Sequence, residues 1–219
     1  MSNGTYCRDY PELMNQFKKF KFPDKNIHDE QFHDDLVDAY CVHLERVLED
    51  ISANKDLNLE IINRRDKKVT EYNRDQNKIS NLSNTYNTAI KNNKIPAMMI
   101  KNIDYVSEFS GTFPIGTSDN DGLKIKDSIA GQIDGMLIIP LQLFCDYVKE
   151  EDIQNSYCLL IETKSSYRLG SNHRKQLESA AYSCIYPHLK KPFDIKYIDG
   201  ILVTPKLTER TFTHKVKCY

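Results

Sequence analysis

A chain of 219 residues with a formal net charge of −1 is long enough to bury a sizeable core and has no overall basic field of the kind that marks a general nucleic-acid binder. Its six cysteines show no C-x-x-C spacing and no pairing with nearby histidines, which argues against a zinc site or an iron–sulfur cluster. No stretch approaches the roughly 18 apolar residues that span a bilayer, and Met1 to Thr5 opens no apolar run, so the expectation is a soluble, intracellular protein with no membrane partner.

Charge is unevenly placed. Residues 1–60 hold thirteen acidic and seven basic side chains, residues 61–105 four and nine, and residues 164–191 one and six, so positive charge gathers in the last two segments. Near the start, Phe17-Lys18-Lys19-Phe20-Lys21-Phe22 precedes Pro23. It reads as an edge segment packing its phenylalanines on the body, or as a basic-aromatic contact for a nucleic-acid strand. From Asp29 to Ile51, Leu36, Tyr40, Leu44, Val47 and Ile51 recur at helical spacing, and Asp29, Glu30, Asp34 and Asp35 crowd the first turns, where the helix dipole favours acid.

Residues 58–93 contain neither Gly nor Pro. Val69, Tyr72, Ile79, Leu82, Tyr86 and Ile90 keep helical spacing there and predict one long helix, with Arg64, Arg65, Lys67, Lys68, Arg74 and Lys78 on its polar face. That face reads as solvated, as a phosphate-contacting arm, or as the surface of a homodimer. Ala97 to Phe109 reads as extended or mixed structure and Phe113 to Gly122 as a loop, with Glu108 either a solvent-facing strand residue or an extra ligand.

Two apolar runs then carry acid where a buried strand should avoid it: Gly131 to Ile139 with Asp134, and Tyr157 to Lys164 with Glu162. An antiparallel register that sets Ile139 opposite Tyr157 also sets Asp134 opposite Glu162 on one face, and Lys164, two residues on, shares the face of Glu162. Two such carboxylates repel, so one keeps its proton or the pair holds a hard divalent cation. Between the runs, Leu141, Leu143, Phe144, Tyr147 and Val148 suit a short helical cover. After Lys164 a loop with Gly170 feeds a helix from His173 to Tyr186 that stops at Pro187, with Leu177, Ala181 and Cys184 on its buried stripe. Its first turn offers His173, Arg174 and Lys175 to phosphate. Phe193 to Val203 gives a last strand.

Ile133-Asp134, then Glu162-Thr163-Lys164 after an apolar strand, then Arg174-Lys175-Gln176-Leu177 on the next helix resemble the PD-(D/E)XK nuclease superfamily. The Gly-x-Ile-Asp spelling at Gly131 to Asp134, and Gln176-Leu177 followed by Tyr182, are most similar to RecB-type nuclease domains. The resemblance covers residues 100–204, with Ile133 in place of the usual proline and a longer interval from Gln176 to Tyr182.

That resemblance implies an α/β fold with a restriction-endonuclease-like mixed β-sheet core flanked by helices, in residues 96–219, and an N-terminal helical region in residues 1–95. It implies hydrolysis of DNA phosphodiester bonds by metal-activated water. Asp134, Glu162 and the Thr163 carbonyl would hold Mg²⁺ or Mn²⁺, Lys164 would position the attacking water, and Gln176 would assist from the next helix. Arg168, His173, Arg174 and Lys175 would contact nucleic acid. Relatives also offer a Glu or His from the first helix toward the metal; His43 falls about 70° from the centre of the apolar stripe and Glu45 about 130° away, which favours His43. Two other readings are an RNA endonuclease of the viral cap-snatching type and a non-catalytic nucleic-acid or protein-binding module.

Overall fold

The computed structural model describes residues 11–21, 30–64, 76–107, 111–114, 122–125, 129–143, 155–164, 176–178, 180–181, 189–205 and 208–215. Their elements in chain order are α1 (Pro11–Lys18), α2 (Glu30–Asn54), β1 (Leu59–Arg64), α3 (Gln76–Lys91), β2 (Ile95–Ser107), β3 (Gly111–Pro114), β4 (Gly122–Ile125), β5 (Ile129–Pro140), β6 (Ser156–Thr163), β7 (Ile195–Val203) and β8 (Thr208–Lys215). Six strands form one mixed sheet in the order β1-β2-β5-β6-β7-β8, parallel at β1–β2 and β6–β7 and antiparallel elsewhere. The fold is therefore mixed α/β, a mixed sheet flanked by helices. No helix among the described residues is long and apolar enough to cross a membrane.

Each face of the sheet carries its own core. On one face α1 and α2 cover Ala97, Met99, Leu137, Ile139, Tyr157, Leu159 and Ile161; on the other, α3 and the helical residues Leu177, Ala180 and Ala181 cover Met98, Ile100, Met136, Ile138, Cys158 and Leu160. Central strands covered on both faces read as near-continuous apolar runs, and all eight residues of β6 are buried. In α2, Leu36, Val37, Tyr40, Cys41, Leu44, Val47 and Leu48 are buried at the expected helical spacing. Phe17 is buried as anticipated, but on a helix, where its carbonyl accepts a hydrogen bond from the Tyr40 hydroxyl.

The single helix expected over 58–93 is not formed. Residues 59–64 instead make β1, which lies parallel to the first half of β2, and the helix occupies Gln76–Lys91. Pairing with β2, over thirty residues away, outweighs local helical spacing. The boundary expected after residue 95 also falls inside this sheet, because β1 lies before it and β2 runs through it. Residues 65–75, with most of the basic face, lie outside the described residues, as do 144–154, where most of the helical cover was expected. The expected loop after Phe113 is flanked by a small antiparallel pair, β3–β4, and β8 adds an edge strand that the sequence reading did not assign.

Helices α2 and α3 end in the same way. Leu57 N–H donates to the Ser52 carbonyl (2.9 Å) around Asp56 at φ 52°, and Lys94 N–H donates to the Ala89 carbonyl (3.0 Å) around Asn93 at φ 57°. These are Schellman closures, which use a left-handed residue just past the helix. Asp and Asn tolerate that backbone and β-branched residues do not. Asn93→Val is expected to cost about 1–2 kcal/mol in a urea melt, with Asn93→Gly at least as stable as the parent.

A break in strand alternation positions the site. Ile133 and Met136 are three apart on β5 yet lie in the same core, as do Ile100 and Ile103 on β2, whereas regular alternation would put each pair on opposite faces. The break falls beside Asn102, at φ 52°, between the paired residues Lys101↔Gly135 and Ile103↔Ile133. It turns Asp134 away from Ile133 and toward α2.

Candidate active site

Strands β5 and β6 pair in the anticipated register, with Ile139 opposite Tyr157 and Gly135 opposite Ile161. Beyond Gly135 a side chain takes over from the ladder. The Asp134 carboxylate, through Oδ2, accepts hydrogen bonds from the Thr163 amide (2.6 Å) and the Thr163 hydroxyl (2.8 Å). Glu162, the next residue in this register, is 1% exposed. Its Oε1 meets the Lys164 ammonium as an ion pair, and apart from that contact neither carboxylate oxygen has a hydrogen bond among the described residues.

The expectation that Asp134 and Glu162 share one face needs correction. Asp134 goes with Thr163 toward α2, whereas Glu162 follows Cys158 and Leu160 toward the α3 side by alternation. The two carboxylates therefore flank the end of the β5–β6 ladder instead of lying side by side. They still feel each other. Burial first, and then the charge of Asp134, push the Glu162 carboxyl up from 4.5 to about 7, against the pull of Lys164. Burial also pushes Asp134 up, but hydrogen bonds from His33 and Thr163 outweigh it and hold that carboxyl below its ordinary range.

His33 is the residue that sequence reasoning missed. Its Nε2 lies 3.0 Å from Thr163 Oγ1 and 3.4 Å from Asp134 Oδ2, and its Nδ1 lies 3.6 Å from Asp34 Oδ1. Hydrogen bonding to Asp134 outweighs burial and raises its pKa above 6.5. A signal was present: His33 stands seven residues before Tyr40, and two helical turns place it on the centre line of the apolar stripe.

His43, the histidine favoured from the sequence, is not brought to the carboxylates. It lies ten residues further along α2, about 15 Å at helical rise. There its Nε2 is 3.0 Å from the Gln16 carbonyl, and its ring packs against the contacting pair Phe20 and Tyr40, with centroids 5.5 and 6.0 Å away. The wheel placed it at the border of the stripe, and that border is taken by α1. Mutating the two histidines should therefore separate their roles. His33→Ala is expected to let the Asp134 carboxyl rise from its lowered value in a carboxyl NMR titration, while His43→Ala lowers the melting temperature and leaves that titration unchanged.

Gln176 does reach the site strand, donating from Nε2 to the carbonyl of Gln132, two residues before Asp134. Glu45, the alternative on α2, accepts a hydrogen bond from Asn63 on β1 instead. Arg168, His173, Arg174, Lys175 and Glu108 lie outside the described residues.

Among the described residues no three His, Cys, Asp or Glu side chains converge closely enough, as they stand, to enclose a metal ion. The donor chemistry nevertheless suits a hard divalent cation. It consists of carboxylate oxygens, two of them buried on Glu162 with the Lys164 ammonium as their one partner among the described residues, together with an imidazole on Asp134 and no thiolate. Comparison with protein-family models, with curated proteins and with solved structures finds no match to this chain.

Proposed function

We propose that the chain is a divalent-metal-dependent nuclease of the PD-(D/E)XK type that hydrolyses phosphodiester bonds of DNA at the end of the β5–β6 ladder. The observation that carries this reading is Glu162. A carboxylate 1% exposed, with the Lys164 ammonium as its one partner among the described residues and its pKa pushed up to about 7, is costly in a structural or binding role and suited to a cation ligand.

Asp134, Glu162 and the Thr163 carbonyl would hold Mg²⁺ or Mn²⁺, with His33 in the place that His43 was expected to fill. Bound there, such a cation would supply Lewis acidity toward water and the phosphoryl oxygens. Lys164, about a quarter exposed at the mouth of the site, orients that water and stabilises the charge that develops at phosphorus. His33, with Thr163 donating twice, holds the Asp134 carboxyl below its ordinary range, and Thr163 fixes its orientation. Gln176 ties the following helix to β5 beside the site.

Preference for DNA rests on the resemblance to RecB-type domains. An RNA endonuclease of the cap-snatching type is the second reading, and His33 fits it equally, since that resemblance too implies a metal-binding His or Glu from an N-terminal helix. Incubating the purified chain with end-labelled single- and double-stranded DNA and RNA and with circular DNA, in Mg²⁺, Mn²⁺ or EDTA, decides between them. Metal-dependent cutting of DNA is the expected result. Cutting confined to RNA selects the second reading, and no cutting of any substrate removes the nuclease assignment.

A further inference from the structure

Lys101 is a buried lysine in a column that should be apolar. It follows Ala97 and Met99 on the α2 side of β2 and is 8% exposed. Its register partner, Gly135, presents no side chain across from it and is the residue next to Asp134. From there the Lys101 stem runs beneath α2, and its ammonium ion-pairs with Asp38 Oδ1; Asp38, with a side chain 57% exposed, sits on the outer flank of the helix. Long cationic side chains bury their stems and deliver the charge to a wetter edge in this way. Asp34, one turn before Asp38, also acts electrostatically on Lys101. The same Asp34 lies 3.6 Å from His33 Nδ1, while the other nitrogen of His33 faces Asp134 and Thr163.

Strand β2 is thus joined to the N-terminal half of α2 by a charge pair, five residues from the histidine that α2 contributes to the site. The contact is badly suited to a purely packing role. Methionine or leucine in this column would cover α2 without burying an amine, as Met99 does two residues earlier. A lysine here instead fixes which turn of α2 lies over the break in strand alternation, and so which residue of the helix meets Asp134.

We propose that Lys101 is a positioning residue: by pairing with Asp38 beside Asp34 it locks the first turns of α2 over the β2–β5 break and holds His33 against Asp134 and Thr163. The consequence for metal affinity rests on the nuclease reading, whereas the placement of His33 does not. Lys101 acts through α2, by way of Asp38.

Two readouts on the full chain test it. In the metal-free protein, histidine ring NMR resonances are compared for wild type, Lys101→Met, Lys101→Arg and Asp38→Asn. The His33 signal is expected to shift in Lys101→Met and Asp38→Asn and to return toward wild type in Lys101→Arg, with the His43 signal unmoved throughout. Should Lys101→Met fail to fold, Asp38→Asn removes the same pair from its exposed side.

In parallel, Mn²⁺ affinity is measured by calorimetry. Lys101→Met is expected to weaken binding roughly 10-fold or more, and to have no further effect in a His33→Ala background. An unmoved His33 signal in both Lys101→Met and Asp38→Asn overturns the proposal. So does Mn²⁺ binding that Lys101→Met leaves unchanged, or weakens equally with and without His33. If His33 moves as expected but the wild type binds no Mn²⁺, the positioning role stands and the metal reading of the site fails.

Discussion

Lys164→Ala is expected to lower metal-dependent cleavage by about 10²–10³-fold, roughly 3–4 kcal/mol of transition-state stabilisation, while the protein stays folded. The size follows from the position of its ammonium, the only cation found against Glu162 among the described residues. The variant should also show a second, separable defect. Lys164, more than His33, pulls the Glu162 pKa down against burial, so its removal leaves Glu162 protonated to higher pH and weakens its hold on a cation near neutrality. Raising the assay to about pH 9 should recover metal binding in Lys164→Ala and leave the catalytic defect in place. Full recovery of turnover at high pH would reduce Lys164 to a counter-charge for Glu162 and remove its catalytic role.

Glu162→Gln should make the metal-free protein more stable at alkaline pH. The Glu162 carboxyl has a pKa near 4.5 when unfolded and about 7 when folded, so the folded state holds its proton across a window in which the unfolded state has lost it. Stability from this group is fully present below about 4.5 and is lost as pH rises through about 7; the difference corresponds to about 3 kcal/mol. His33, with its pKa raised, slopes the same way, its contribution present below 6.5 and lost as pH rises past its folded value. Asp134 slopes oppositely: its pKa is lowered from 3.8, so its contribution is present above that value and lost as pH falls through the folded one. Denaturant midpoints of the wild type should therefore peak on the acid side, at about pH 4–5, and decline toward about pH 8. In Glu162→Gln most of that decline should vanish, and the variant should bind Mg²⁺ far more weakly. A wild-type midpoint that rises from pH 5 to 8, or a variant that follows the same slope, would count against a buried, unsatisfied Glu162.

The sequence carried the centre of the sheet further than its edges. Leu137 to Ile139 and Tyr157 to Ile161 are continuous apolar runs because both faces of β5 and β6 are covered, and acid interrupting such runs is conspicuous, so Asp134, Glu162 and their register were legible. The face that each acid takes was not. It depends on the break at Asn102 and Gly135, which arises between two strands and leaves no periodic trace in either one alone.

Strand β1 was hidden for a similar reason. Leu59, Ile61 and Ile62 fit helical spacing and strand spacing equally well, and only pairing with β2 decides between them. Strand β8 is a polar edge, its Thr208, Thr211 and Thr213 suited to a strand but lacking the apolar alternation that would have drawn attention to it. On α2 the apolar stripe marks the helix but not the histidine, because only the placement of α2 over β6 and beside α1 sends His33 to Thr163 and His43 to Gln16. Lys101 shows the same limit: a lysine between Ile100 and Ile103 looks like an exposed strand residue until α2 is placed above it.

The measurement that bears most directly on the account is degradation of DNA by wild type and Asp134→Asn prepared side by side, each in Mn²⁺ and in EDTA. Asp134→Asn keeps the shape of the side chain that accepts from Thr163 and removes the charge a cation needs. Mn²⁺-dependent fragments are expected from the wild type, none in EDTA, and at least about a hundredfold less from the variant. Equal degradation by the two proteins would place any nuclease activity elsewhere than Asp134, and a wild type that folds, binds Mn²⁺ and cuts no DNA would contradict the assignment of this site to DNA hydrolysis.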